Sequence, residues 1–163
     1  QSGRTSRPEI YAAGNLLRGI ETAGHCWAEG RAVARALLAD LHRPAPGAEV
    51  VLRPGAGLRY VMPQRLTAGA TPALPSLQLR LQHKAAGTLA LRDAAGQALI
   101  CQQIASAPER RLGLPLPPAA LDAAAPLTVV PPTGTTLIER NKGAHWRSSA
   151  AISTHQYATV MCA

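Results

Sequence analysis

Apolar residues recur along the chain with two different periods. Between Thr22 and Leu41 they fall at Ala23, Trp27, Gly30, Ala34, Leu37, Leu38 and Leu41, steps of four, three, four, three, one and three that trace one stripe of a helix. Thr22 is the expected N-cap, and Arg43-Pro44 stops the run. The stripe is expected to face a core, with Trp27 as part of it. Further on the period changes to two. Leu77, Leu79 and Leu81 alternate with Gln78, Arg80 and Gln82, which predicts a strand with leucines inward and polar residues in water. Strands are also expected at Val50–Leu52, Leu58–Met62, Thr88–Arg92, Ala98–Ile104, Arg111–Leu116 and Leu127–Val130, separated by Gly- and Pro-rich turns. The predicted class is α+β. Residues 1–43 form a strand, a glycine turn and a helix, 44–48 a linker, 49–130 a small β-sandwich-like domain, and 131–163 a weakly structured tail.

Composition narrows the core. Phe is absent and aromatics are 3% of the chain, so Ala, Leu, Val and Ile must fill the interior. No run of apolar residues is long enough to cross a membrane as a helix. Seventeen basic residues against nine acidic give a net charge of +8, but they are spread without a like-charge block. Arginine dominates and no aromatic residues interleave with it, so nucleic acid is not expected as a partner. Arg53, Arg59, Arg65, Arg80 and Arg92 are the residues a basic, non-enzymatic β-sandwich would use to dock an acidic partner or nucleic acid. Cys26, Cys101 and Cys162 form no CxxC, and no Cys/His cluster has zinc spacing. Three reduced thiols in a cytoplasmic protein are expected, with no metal. In the tail, His145, Trp146, His155 and Cys162 have a spacing that fits no metal site.

The single helix cannot bury its stripe with one short strand beside it. Either a partner chain or a preceding stretch of the same protein is expected to cover it. The segment itself resembles a known family. Arg4-Thr5-Ser6, then Pro8-Glu9-Ile10-Tyr11-Ala12-Ala13-Gly14-Asn15, then Ala23 and Ala28-Glu29-Gly30-Arg31, is similar to the late FAD-contacting segment of pyridine nucleotide-disulfide reductase-like flavoprotein oxidoreductases. That family has a Thr-Ser turn, a strand ending in Ala-x-Gly-Asp, and a helix with a Gly-Arg pair. The resemblance implies that Gly14 and Asn15 touch FAD, and that Thr22, Ala23 and Gly24 lie near the flavin ring. It implies hydride transfer between flavin and an organic substrate such as an amine or opine. Glycine at position 14 admits close approach of the backbone, and free N–H groups at a helix start favour the negative charge a reduced flavin gathers.

Two departures qualify what is implied. Asn15 stands where the family has Asp, keeping donor and acceptor but not charge. No GxGxxG follows a strand anywhere in the 163 residues, so the chain is expected to form one wall of a flavin site and to be inactive alone. The Arg59–Gln64 and Pro108–Arg111 stretches resemble, less closely, the appended C-terminal domain of amine- or opine-type flavoprotein oxidoreductases. No site residue is implied by that second likeness. His25 is read as a solvated helix position and Cys26 as an unpaired thiol. Of Arg110 and Arg111, one is expected in water and one against the sheet.

Overall fold

The computed structural model describes residues 1–7, 9–41 and 47–132 and the backbone of Thr159–Val160. Nine strands and one long helix make an α+β fold among these residues. The strands are β1 (Glu49–Pro54), β2 (Leu58–Met62), β3 (Arg65–Thr67), β4 (Ser76–Leu81), β5 (Ala85–Arg92), β6 (Ala98–Ser106), β7 (Leu112–Pro115), β8 (Leu127–Val130) and β9 (Thr159–Val160). They form a six-stranded sheet in the order β3-β1-β8-β5-β6-β9 and a three-stranded sheet in the order β2-β4-β7. Pairing is antiparallel except between β1 and β8, where Leu52 registers with Leu127.

One aliphatic core joins the two sheets. Leu77, Leu79 and Leu81 of β4 and Leu112 and Leu114 of β7 meet Leu89 and Leu91 of β5, Ile100 and Ile104 of β6, and Leu127 and Val129 of β8. Leucine replaces the β-branched residues usual in strands here, and it works because each side chain is sealed between two sheets. The strands expected between residues 49 and 130 are all present. The additions are the two-residue β9 and β3, three residues long, whose Leu66 is fully buried.

Residues 1–22 are fastened at their start to β3 and the loop after it, and at Ile20 and Glu21 to Arg80 of β4. The Gln1 side chain accepts from Thr67 N–H at 2.8 Å and donates to the Ala70 carbonyl at 3.0 Å, and Ser2 Oγ accepts from Ala73 N–H at 2.9 Å. The strand expected at Ile10–Ala13 is reduced to a single bridge between Tyr11 and Arg4. A short 3₁₀ turn, Gly14–Leu16, follows, and then α1 (Ala23–Asp40). Thr22 caps α1 as expected, its Oγ1 accepting from His25 N–H at 3.4 Å.

The helix presents a different side from the expected one. Its buried residues are Glu29 and Val33, while Trp27 is 64% exposed and Leu38 and Leu41 are also exposed. The anchoring is polar. Glu29 is held by Arg18 and by Gly14 N–H, and Asp40 by Tyr11 Oη at 2.7 Å and Arg4 at 2.8 Å. Gly3 admits Val33 between them, since a Cβ there would lie 2.6 Å from Val33 Cγ1. The expected weak tail, 131–163, lies outside the described residues apart from Pro131, Pro132 and the backbone of β9.

Candidate functional site

The joint between the N-terminal segment and the sandwich is built from buried charge. At its centre Glu21, with its side chain 2% exposed, receives Arg80 Nη2 at 3.0 Å and Arg111 Nη1 at 3.1 Å, with Arg18 Nε at 3.6 Å. Arg80 also donates to the Ile20 carbonyl at 2.9 Å and reaches Glu109 at 3.3 Å, which in turn holds Arg59 at 2.6 Å. Arg18 pairs with Glu29. Burial acts to raise the Glu21 carboxyl, but Arg111, Arg80 and Arg18 outweigh it and hold Glu21 below the usual carboxylate range. The Tyr60 hydroxyl nearby is pushed up, chiefly by burial.

Alternation placed Arg80 in water; instead it is 2% exposed. The reason is that β4 has covered faces on both sides. Its leucines meet the core, Arg80 lies beneath Ile20 and Glu21, and Gln78 is buried too. No local pattern signals this, because Arg80 and Arg111 stand 59 and 90 residues from their common partner.

The loop between Gly14 and α1 is closed by side chains. Asn15 Oδ1 accepts from Glu21 N–H at 2.8 Å, and its Nδ2 donates to the Glu21 carbonyl at 3.5 Å. Gly14 is buried with φ +64°, donates its N–H to Glu29 Oε2 at 3.0 Å, and would place a Cβ 3.1 Å from Cys26. Ile20 has φ +65°, a left-handed conformation that a β-branched residue adopts only under strain. Glu109, across the ionic joint, has φ +63°. Both strained residues are bonded to Arg80.

The five residues implied as flavin contacts therefore gather at one end of α1, at two depths. Gly14 lies beneath, committed to Glu29. Asn15, Thr22, Ala23 and Gly24 are exposed around the helix start. Asn15 is engaged with Glu21, yet each of its amide atoms retains capacity for one more hydrogen bond. Glu21 puts no free charge there, since it is turned inward and neutralised. The surface around the helix start thus offers amide and hydroxyl groups and helix N–H donors, with Glu21 turned inward to its arginine partners.

Trp27 is not a core residue; Arg31 lies over its ring at 4.6 Å. His25 is half-exposed, with Nδ1 3.0 Å from Thr22 Oγ1 and 3.7 Å from Glu21. Arg110 is exposed and Arg111 reaches Glu21, the division expected of the pair. Of the five arginines of a supposed basic face, Arg80 is buried, Arg59 pairs with Glu109, Arg65 pairs with Glu49 at 2.8 Å, and Arg92 bonds the Gly96 carbonyl. Only Arg53 of the five is without such a partner among the described residues. Cys26 is free, but Cys101 is disulfide-bonded, so the expectation of three reduced thiols fails. The tail residues His145, Trp146, His155 and Cys162 lie outside the described residues. Among those described, no cluster of His, Cys, Asp and Glu could hold a metal, and no helix is long and apolar enough to cross a membrane. A depression of about 310 Å³ between β1 and β2, lined by Leu52, Arg59, Tyr60 and Gln64 among others, is separate from the α1 end.

Comparison of the chain with protein-family models, with curated proteins and with solved structures finds no match.

Proposed function

We propose that this chain is the C-terminal portion of an FAD-dependent oxidoreductase, contributing one wall of the flavin site. The observation that carries the reading is the Gly14–Gly24 loop. It is strained at Ile20 and clamped by Asn15, Arg80 and Glu29, and four of the five residues that the resemblance implies as cofactor contacts, Asn15, Thr22, Ala23 and Gly24, are exposed on it. Strain held in place by this many partners is characteristic of segments that present groups to a ligand. FAD, when bound, supplies the hydride chemistry with an amine- or opine-like substrate. Within this chain, Asn15 and Thr22 orient polar groups toward the cofactor and Gly14 seats the turn. Arg18, Arg80 and Arg111 keep Glu21 from placing negative charge beside it. The remaining wall, with the nucleotide-binding glycines, comes from further polypeptide, either of the same protein or of a second chain. The 163 residues alone are inactive in this reading.

Flavin fluorescence titration tests it. The chain alone should leave FAD fluorescence unchanged, whereas the chain joined to the polypeptide encoded before it should quench FAD stoichiometrically. Asn15→Ala in the longer protein should weaken binding by about tenfold, the loss of about one charge-free hydrogen bond. Tight FAD binding by the 163 residues alone would overturn the one-wall reading.

The cytoplasmic setting expected from the sequence conflicts with the Cys101 disulfide, which argues for an oxidising one. Thiol trapping in intact cells followed by mass spectrometry separates them. The cytoplasmic reading expects Cys101 alkylated, and a protected Cys101 would refute it.

A further inference from the structure

The side of α1 turned away from the protein has the composition of a contact surface. At about 100° per residue, Ala23, Trp27, Gly30, Ala34, Leu38 and Leu41 share one face, about a third of a turn from the face that carries Glu29, Val33 and Asp40. Trp27, Leu38 and Leu41 are 64%, 61% and 67% exposed. Charge is sorted across the helix as well. Both of its carboxylates, Glu29 and Asp40, are turned inward and paired with Arg18 and Arg4. Both of its arginines, Arg31 and Arg35, are exposed along one flank of the apolar stripe, and neither pairs with a carboxylate among the described residues.

We infer that this face of α1 docks a protein element bearing an apolar stripe with a carboxylate flank aligned to Arg31 and Arg35. Three observations select that occupant. Gly30 and Ala34 at the middle of the stripe let another backbone approach to the 8–10 Å spacing of packed helices, about the closest usual separation, which a lipid surface does not require. A Cβ at Gly30 would meet nothing within 4 Å, so the space above it is open. A second copy packed antiparallel would bring like flanks together, setting arginines against arginines. A carboxylate flank satisfies both guanidiniums and also fixes the register. The inference stands on the helix alone, so the outcome of the FAD titration does not bear on it.

The test uses two synthetic amphipathic helical peptides with the same Leu/Ala stripe, one flanked by Glu and its twin by Lys. Trp146→Phe leaves Trp27 as the sole indole reporter. The Glu peptide should shift Trp27 emission to the blue and bind at least about tenfold more tightly than the Lys peptide. The R31E/R35E double variant, with unchanged circular dichroism, should reverse that preference, and Ala34→Arg should abolish the shift. Equal affinity for the two peptides, or no shift with either, overturns the inference. A Trp27 shift with anionic phospholipid vesicles in place of the Glu peptide, or self-association in sedimentation that buries Trp27 in a second copy, also overturns it.

Discussion

Glu21 shows how one residue can decide the relation between two parts of a chain. It precedes the helix by two positions and carries no apolar surface, yet it is among the least exposed side chains of the N-terminal segment. Its partners come from the loop before α1, from β4 and from the approach to β7. Removing one member of a buried ion pair typically costs about 3–5 kcal/mol, because the remaining charges stay buried without compensation. Glu21→Gln should therefore lower stability by about that much at neutral pH, read by urea denaturation. The pH dependence has a definite sign. Glu21 titrates below its unfolded value, so its contribution is complete above the ordinary carboxylate range, near pH 4.3, and is lost as pH falls through the lower folded value. Stability of the native protein should fall on acidification below about pH 4.3, and Glu21→Gln should flatten that slope. An unchanged slope would mean that Glu21 does not hold the joint.

At the scale of elements, periodicity located the strands well and the covering layers poorly. The leucines of β4 announced both the strand and its inner face. Gln78 and Arg80, reading as solvent positions, are both buried, Arg80 beneath Ile20 and Glu21, and a period of two carries no information about what lies on the second face. The helix was legible in the same partial way. Its boundaries and its Thr22 cap follow from local rules, and its apolar stripe is real. The stripe points outward because α1 is fastened through Glu29 and Asp40 to arginines distant in sequence. The β3 strand went unread because three residues leave no period to measure. The Gly14–Gly24 loop was legible as a motif, but its closure by Asn15 and the strain at Ile20 were not. That strain gives an element-scale prediction. Ile20 is 73% exposed, so Ile20→Gly removes little packing and relieves a left-handed β-branched residue. It should raise stability by about 1 kcal/mol in thermal unfolding. A loss of stability would show that the side chain matters more than the backbone conformation.

For the whole molecule, the two halves differ in how they are held. The sandwich is an aliphatic core sealed by leucines, while the N-terminal segment and α1 are fastened by hydrogen bonds and ion pairs and keep their apolar face outside. A helix fixed by polar contacts, with its stripe free and its first turn exposed beside a strained loop, has the form of part of a larger site. The proposal that this site holds flavin is examined most directly by translating the DNA immediately upstream of the Gln1 codon in every frame. A strand-GxGxxG-helix pattern within about 300 codons, the span of two nucleotide-binding domains, is the expected result. An upstream region whose frames encode no such fingerprint would contradict the assignment of this chain as the closing segment of a flavin domain.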